Sequence, residues 1–489
     1  MAEKIIESYQ VGKSGTYGDI LSERKEKSKP KVGLLAFGYF EYWRMYEGLD
    51  KEVESDMNKI AENMSKSEKY ELIYPGFIDT VDKSDKAGQK LKNEDIDLLI
   101  ITEGTYMPDY LVLQARRYLS SVPVIILITQ NRRTLNKKDL IYRDVVGTSG
   151  FVGLNQLCGT FAKMNWEREV VIGPSDDPNI YKELEEYAVV IGIKKRLGNL
   201  KVGAYGHPFR GMFDIEYDKT KLFGDIGPET VYIEEMQLRR AMDEVKKEDI
   251  DKLVKITKER FKIQDVTEDT IKRGCRTYIA LEKLIEEFKL DDLSILSQWN
   301  IQIVTNDTAG YAASLLVEKG IMVGCEGDVA TVVMMDVLNQ LSGISPMFGE
   351  FSLYDLKENY VTLEHHGDGD PNLAESMNDV YLTSCPEFWG TDEALAFNYI
   401  MKKGRVTACG LIDDASGQKM LIATGESLGG ESFHLHSPVV AFKPDMPVLD
   451  FLKLMAESGF RHHAVIVLGD YKEHLIKLAK MLNIRTVIL

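Results

Sequence analysis

Continuous apolar runs punctuate the first part of the chain. Residues 32-VGLLAF-37, 96-IDLLIITEG-104 and 123-PVIILITQ-130 are almost wholly apolar and of strand length, with a shorter run at 71-ELIYPGF-77. Between them lie charge-rich stretches with helical spacing, the longest from about Met45 to Lys66. Fully apolar strands alternating with amphipathic helices predict a parallel sheet covered on both faces, because the crossover helices bury both sides of such strands. In sheets of this kind the ligand edge lies beyond the carboxyl ends of the strands. Those ends here carry 36-AFGYFEYW-43, 102-TEGTYMP-108 and 129-TQNRR-133. Gly, Pro and Asp then cluster at 173-GPSDDP-178, which reads as a linker.

The alternation restarts at 201-KVGAYGHPF-209 and 230-TVYIEEMQL-238, followed by charged, helix-patterned residues from Arg239 to Lys289. The last third differs. Residues 404-GRVTACGLIDDASGQKMLIATGES-427 read as two strands joined by a polar turn, and 433-FHLHSPVVAF-442 reads as another, which is antiparallel, barrel-like material. A β-α-β stretch, residues 463–489, closes the chain. The expectation is an α/β protein with two Rossmann- or flavodoxin-like parallel-sheet domains, residues 1–175 and 176–345. A C-terminal domain, residues 346–489, contains an antiparallel β-barrel. A length of 489 residues accommodates three domains at roughly 100–200 residues each.

Composition narrows the function classes. With 60 Lys and Arg against 77 Asp and Glu the net charge is −17, and such a surface repels phosphate backbones and anionic lipid heads, so neither nucleic acid nor membrane is an expected partner. Five cysteines without a CxxC pair form no disulfide framework and fit a reducing compartment. The N-terminal MAEKIIESYQVGKSG has no apolar run for a signal peptide, and no apolar stretch approaches the roughly 20 residues of a spanning helix. A cytoplasmic protein is expected. GxxxxGK[ST], GxSxG and HExxH are absent, and no GxGxxG follows the first strand, which disfavours a P-loop, a serine hydrolase elbow, a zincin and a dinucleotide fold.

Histidine carries the chemical signal. Seven of the eight histidines follow residue 360, and two adjacent pairs stand out, His365–His366 in 362-TLEHHGDGDPN-372 and His462–His463 in 458-SGFRHHAVIVLGD-470. Each pair reads either as ordinary hydrogen-bonded residues or as metal ligands. His434 and His436 alternate on the expected strand and so share a face. Two glutamates sit in expected loops: Glu326 in 324-GCEGD-328 and Glu350 in 346-PMFGEFSLYD-355. Carboxylates placed so are open to a raised pKa, hence to proton transfer or metal binding, and equally to a solvated loop, with Asp328 as a helix N-cap.

The series GCEGD, FGEFSLYD, LEHHGDGDP and SGFRHHAVIVLGD resembles, in order and spacing, the metal-site segments of the L-arabinose/L-fucose isomerase family, with the closer likeness to the L-arabinose isomerase branch. Residues 129-TQN-131 and 154-LNQ-156 resemble further family segments. The resemblance implies a metal-dependent aldose–ketose isomerase acting on a free or modified sugar through an enediol(ate). It makes Glu326, Glu350, His365 and His463 the metal ligands and the two glutamates the proton-transfer groups. Phe40 and Gln130 become substrate contacts, and His366 and His462 either substrate contacts or supports behind the ligands, facing away from their neighbours because adjacent strand residues point to opposite faces. Mixed oxygen and nitrogen ligation suits Mn²⁺, with Co²⁺, Mg²⁺ or Zn²⁺ as alternatives. The family's architecture implies a homo-oligomer, trimer or hexamer, whose site is shared between subunits. Departures at 38-GYFEYW-43, Gly104 and Ile128 replace that branch's substrate-recognition residues and count against L-arabinose, leaving the sugar open, and 131-NRRT-134 offers either an anion contact or a solvated loop. A non-catalytic sugar-binding relative, and an epimerase or lyase sharing the enediolate, are the alternative functions.

Overall fold

The computed structural model describes residues 29–365, 367–385 and 393–489. They fall into two compact units, divided between Lys195 and Arg196.

The first unit is built on five parallel strands, β1 (Lys31–Phe37), β2 (Glu71–Ile73), β3 (Leu98–Glu103), β4 (Val124–Gln130) and β5 (Glu169–Pro174), in the order β2-β1-β3-β4-β5. That is the doubly wound order with a switch point between β1 and β3. The apolar runs are strands because both their faces are covered. Leu35, Phe37, Leu99, Ile101 and Ile126 pack with Leu91, Leu111, Leu154 and Phe161 from the flanking helices. The run at 71-ELIYPGF-77 contributes only three strand residues, since Pro75 has no N–H to continue a ladder. Helix Gly150–Lys163 runs so close to the end of β3 that a Cβ on Gly150 would overlap the carbonyl oxygen of Glu103.

The second unit contains a four-stranded parallel sheet and a ten-stranded mixed sheet. The first comprises β6 (Lys201–Tyr205), β7 (Glu229–Ile233), β9 (Asp292–Ile295) and β10 (Val323–Gly324), ordered β10-β9-β6-β7. The second takes β8 (Lys262–Ile263), β11 (Met347–Asp355), β12 (Tyr360–Glu364), β13 (Tyr381–Cys385), β14 (Ala394–Ile400), β15 (Gly404–Asp414), β16 (Gly417–Ser427), β17 (Pro438–Pro444), β18 (His463–Leu468) and β19 (Arg485–Ile488). Their order is β19-β16-β15-β18-β11-β12-β17-β14-β13-β8, and β16 pairs with β17 as well. The hairpin expected at 404–427 is β15 and β16, paired in register from Gly404↔Ser427 to Asp414↔Gly417. The strand expected at 433–442 begins only at Pro438, a residue suited to a strand's first position. His434 and His436 therefore lie in the preceding turn, His436 at φ 55°, and strand alternation does not govern them.

No helix among the described residues is long and apolar enough to cross a membrane.

At the end of β3, Glu103 is 1% exposed, and neither of its carboxyl oxygens makes a hydrogen bond among the described residues. Burial, with a smaller contribution from Asp109, pushes this carboxyl well above the usual range near 4.5. Below about pH 4.5 the acid is neutral in both folded and unfolded chains. Above it the unfolded chain ionises first, so stability falls as pH rises toward the folded pKa. Denaturant unfolding from pH 4 to pH 8 is expected to show that decline in the parent, and a shallower one in Glu103→Gln. Parallel curves would show that Glu103 ionises freely in the fold.

Candidate metal and sugar site

Four segments distant in sequence converge in the second unit. Glu326 stands in the loop between β10 and helix Val329–Ser342, with a left-handed backbone at φ 60°, followed by Gly327 at φ 78°. Two successive left-handed residues turn the chain sharply and throw the Glu326 side chain off the end of the strand; the first is costly for any residue with a Cβ. Three backbone features hold the turn. Gly327 N–H donates to the Ile295 carbonyl at 3.1 Å, and the Glu326 carbonyl accepts from Phe209 N–H at 3.2 Å. A Cβ on Gly327 would overlap the His207 carbonyl. Asp328 then caps the helix by accepting from Thr331 N–H at 3.1 Å.

Glu350 lies within strand β11 rather than in a loop, because 347-MFGEFSLYD-355 pairs on both sides. It is opposite Glu364 on β12 and opposite His463 on β18. Directly opposed residues share a face, so Glu350 and His463 point the same way. His365 follows the last residue of β12. Glu326, Glu350, His365 and His463 each present one oxygen or nitrogen, and these four atoms lie within 4.8 Å of one another. His463 Nε2 is 3.2 Å from Glu326 Oε2 and 3.8 Å from Glu350 Oε1. His365 Nε2 is 3.9 Å from Glu326 Oε1.

The other expected contacts fall differently. His462 precedes β18 instead of lying on it, so alternation does not turn it away: its Nε2 is 3.5 Å from Glu326 Oε2 and 3.8 Å from Glu350 Oε1. His366 lies outside the described residues. Phe40 and Gln130 belong to the first unit, Phe40 starting the short helix after β1 and Gln130 ending β4 with its amide donating to the Arg132 carbonyl at 2.7 Å. The basic group at 131–134 is matched within that unit, Arg132 by Asp144 at 2.6 Å and Arg133 by Asp176 at 2.9 Å. Those guanidinium charges are already paired.

Neighbours that carry no sequence motif support the four. Asp328 Oδ2 meets His463 Nδ1 at 3.1 Å, while its other oxygen accepts from the buried Arg461 guanidinium at 2.7 Å. Asp368 lies 3.4 Å from His365 Nδ1 and accepts from the Cys325 thiol at 3.6 Å. Both rings thus present Nε2 to the centre, with a carboxylate behind each Nδ1, the arrangement that fixes a ligating imidazole. Phe348 packs between them, its centroid 4.8 Å from the His365 ring and 4.6 Å from the His463 ring. The Gln298 amide donates to Glu326 Oε1.

Charge follows from these contacts. Burial pushes the Glu326 carboxyl up, but the neighbouring imidazoles of His365, His462 and His463 outweigh it and hold the group well below the usual carboxylate range. The raised pKa expected of a buried loop glutamate is reversed by its imidazole neighbours. Burial pushes His365 down, and Asp368, Cys325 and Glu326 more than reverse it. The site is closed on the Glu326 side, 2% exposed, and open at Glu350 and His462, 36% and 31% exposed.

No protein-family model matches the chain. The chain is similar to the sulfoquinovose isomerase of Priestia megaterium, 25% identical over 351 residues that cover 69% of this chain and 76% of the relative. It is also similar to the L-arabinose isomerase of Oceanobacillus iheyensis, 24% identical over 341 residues, 67% of this chain and 71% of the relative. The L-arabinose isomerase of Lactiplantibacillus plantarum is 20% identical over 473 residues, 92% of this chain and 98% of the relative.

The turn at Glu326 makes a direct test possible. Gly327→Ala combines an unfavourable φ with a backbone overlap, and is expected to lower stability by about 1–3 kcal/mol in urea unfolding. A variant as stable as the parent would show that the turn relaxes freely.

Proposed function

We propose that this L-arabinose isomerase-like protein, an aldose–ketose isomerase, works by metal-assisted proton transfer between C1 and C2 of a free or modified open-chain sugar. The observation that carries the reading is the meeting of two carboxylates and two imidazoles within 4.8 Å. The donor set suits a divalent cation, since Glu326 Oε2 and His463 Nε2 are buried without a hydrogen bond among the described residues. Glu326, Glu350, His365 and His463 would hold it, and two oxygen with two nitrogen donors favour Mn²⁺, then Co²⁺, Mg²⁺ or Zn²⁺. Such an ion, when bound, polarises the sugar carbonyl and acidifies the adjacent C–H.

The remaining work falls to the chain. One glutamate takes the C2 proton while the other, protonated, gives its proton to the C1 carbonyl oxygen, which yields an enediol. The first then returns its proton to C1 while the second takes the proton of the C2 hydroxyl, which leaves the carbonyl at C2 and both glutamates as they began. The steps are redox-neutral overall and need no external oxidant. His462 borders the open side, where its Nε2 contacts a sugar oxygen. The pairing of β16 with β17 supports reading β16-β15-β18-β11-β12-β17 as a six-stranded antiparallel barrel around the strands that carry Glu350 and His463. The chain is further proposed to act as a homo-oligomer, trimer or hexamer, in which Phe40 and Gln130 help complete a site. Exposed Ile141, Tyr142, Val145, Phe151 and Val152, clustered in sequence, support an interface on the first unit.

Elemental analysis of protein purified without chelator is expected to find about one divalent ion per chain, lost in Glu350→Ala. A sugar panel with added Mn²⁺, including sulfoquinovose and L-arabinose, is expected to return a ketose product. Glu326→Gln should then lower turnover by about 10²–10⁴-fold in protein that still unfolds cooperatively. Full turnover in Glu326→Gln, or no bound ion even after soaking, would sink the reading. An epimer or cleavage product would replace isomerisation with the related enediolate chemistry.

A further inference from the structure

The loop that follows β6, residues 206–218, touches the site at three places. Phe209 N–H donates to the Glu326 carbonyl at 3.2 Å. Tyr217 packs its ring under the Arg461 guanidinium, 5.2 Å from its centroid, one residue before His462. Between these, Asp214 Oδ2 accepts from the His462 backbone N–H at 3.1 Å and lies 2.6 Å from His462 Nδ1. The loop is itself held: Met212 N–H donates to the Phe209 carbonyl at 3.1 Å, and Ile215 and Tyr217 are buried on either side of Glu216.

From this we infer that Asp214 is a positioning residue for the reaction, fixing the His462 ring so that Nε2 faces the sugar-binding centre. One carboxylate oxygen grips both backbone and ring of the same residue, which leaves the imidazole little freedom about either side-chain torsion. With Nδ1 engaged by Asp214, Nε2 is the ring atom left to meet substrate, and it makes no hydrogen bond among the described residues. It points toward the two glutamate oxygens between which the C1–C2 segment of an open-chain sugar must lie, at 3.5 and 3.8 Å. His365 and His463 each have a carboxylate behind Nδ1; Asp214 supplies the same support to the third imidazole, the one on the open side. The ligand chemistry this serves is a hydroxyl or carbonyl oxygen of a polyhydroxy aldehyde or ketone, contacted by an imidazole that cannot swing away.

The inference rests on the isomerase reading, and two measurements separate their failures. In metal-free protein, long-range ¹⁵N–¹H spectra of the imidazoles are expected to show a slowly exchanging Nδ1–H signal, assigned to His462 by its loss in His462→Gln. That signal should disappear in Asp214→Ala while those of His365 and His463 persist. If it survives Asp214→Ala, the positioning role is overturned, whatever the sugar panel returns. On the sugar that the parent isomerises, Asp214→Ala should lower kcat by about 10–100-fold with bound metal unchanged, and Asp214→Glu should recover part of the loss. Unchanged kcat and KM in Asp214→Ala would overturn the inference and leave the isomerase reading standing. Loss of the metal in Asp214→Ala would overturn it too, by making Asp214 a structural support of the ligands.

Discussion

The Glu326 carboxylate is taken out of water and surrounded by three imidazoles, and the arrangement of the rest of the site answers that burial. An ionised carboxylate moved into a protein interior loses several kcal/mol of hydration unless charge and hydrogen bonds replace it. Here His365, His462 and His463 supply the replacement, and the Gln298 amide takes the remaining side of Oε1. The imidazoles need support in turn. Asp368, Asp328 and Asp214 stand behind their Nδ1 atoms, and Asp328 is itself held by a buried arginine. Removing one member leaves its immediate partner less compensated, so each carboxylate chiefly supports the imidazole it touches.

Such a cluster requires segments that do not shift. The strained turn at Glu326 is tolerated because β9, the loop after β6 and the N-terminus of helix Val329–Ser342 each bind it. Glu350 and His463 are fixed differently, as opposed residues on antiparallel strands whose ladder sets their spacing. The site therefore lies where the end of a parallel sheet meets antiparallel strands. The loop gives Glu326 its direction, and the strands give the opposing pair its register.

Much of this was legible in sequence, and the exceptions have physical causes. The parallel sheets announced themselves because both faces are buried and the runs are apolar throughout, as in 32-VGLLAF-37. GCEGD showed its glycine and its cap, and the structure uses both. FGEFSLYD looked like a loop because its glycine and charges obscure alternation, yet pairing on two sides makes it a strand. His434 and His436 suggested alternation, which the late strand start at Pro438 removes. Asp214 and Arg461 carried no signal, since their roles come from contacts made 248 and 133 residues away in the chain.

The two glutamates are not equivalent in their surroundings. Glu326 is 2% exposed and tied by imidazoles, whereas the Glu350 side chain is 36% exposed at the open edge. In the proposed reaction a proton collected by Glu326 has no direct route to water, so it must return to the sugar or pass to a neighbouring imidazole. A proton on Glu350 meets solvent at once and is free to exchange. Enclosure on one side and exposure on the other thus give a single cluster one shielded carboxylate and one open edge.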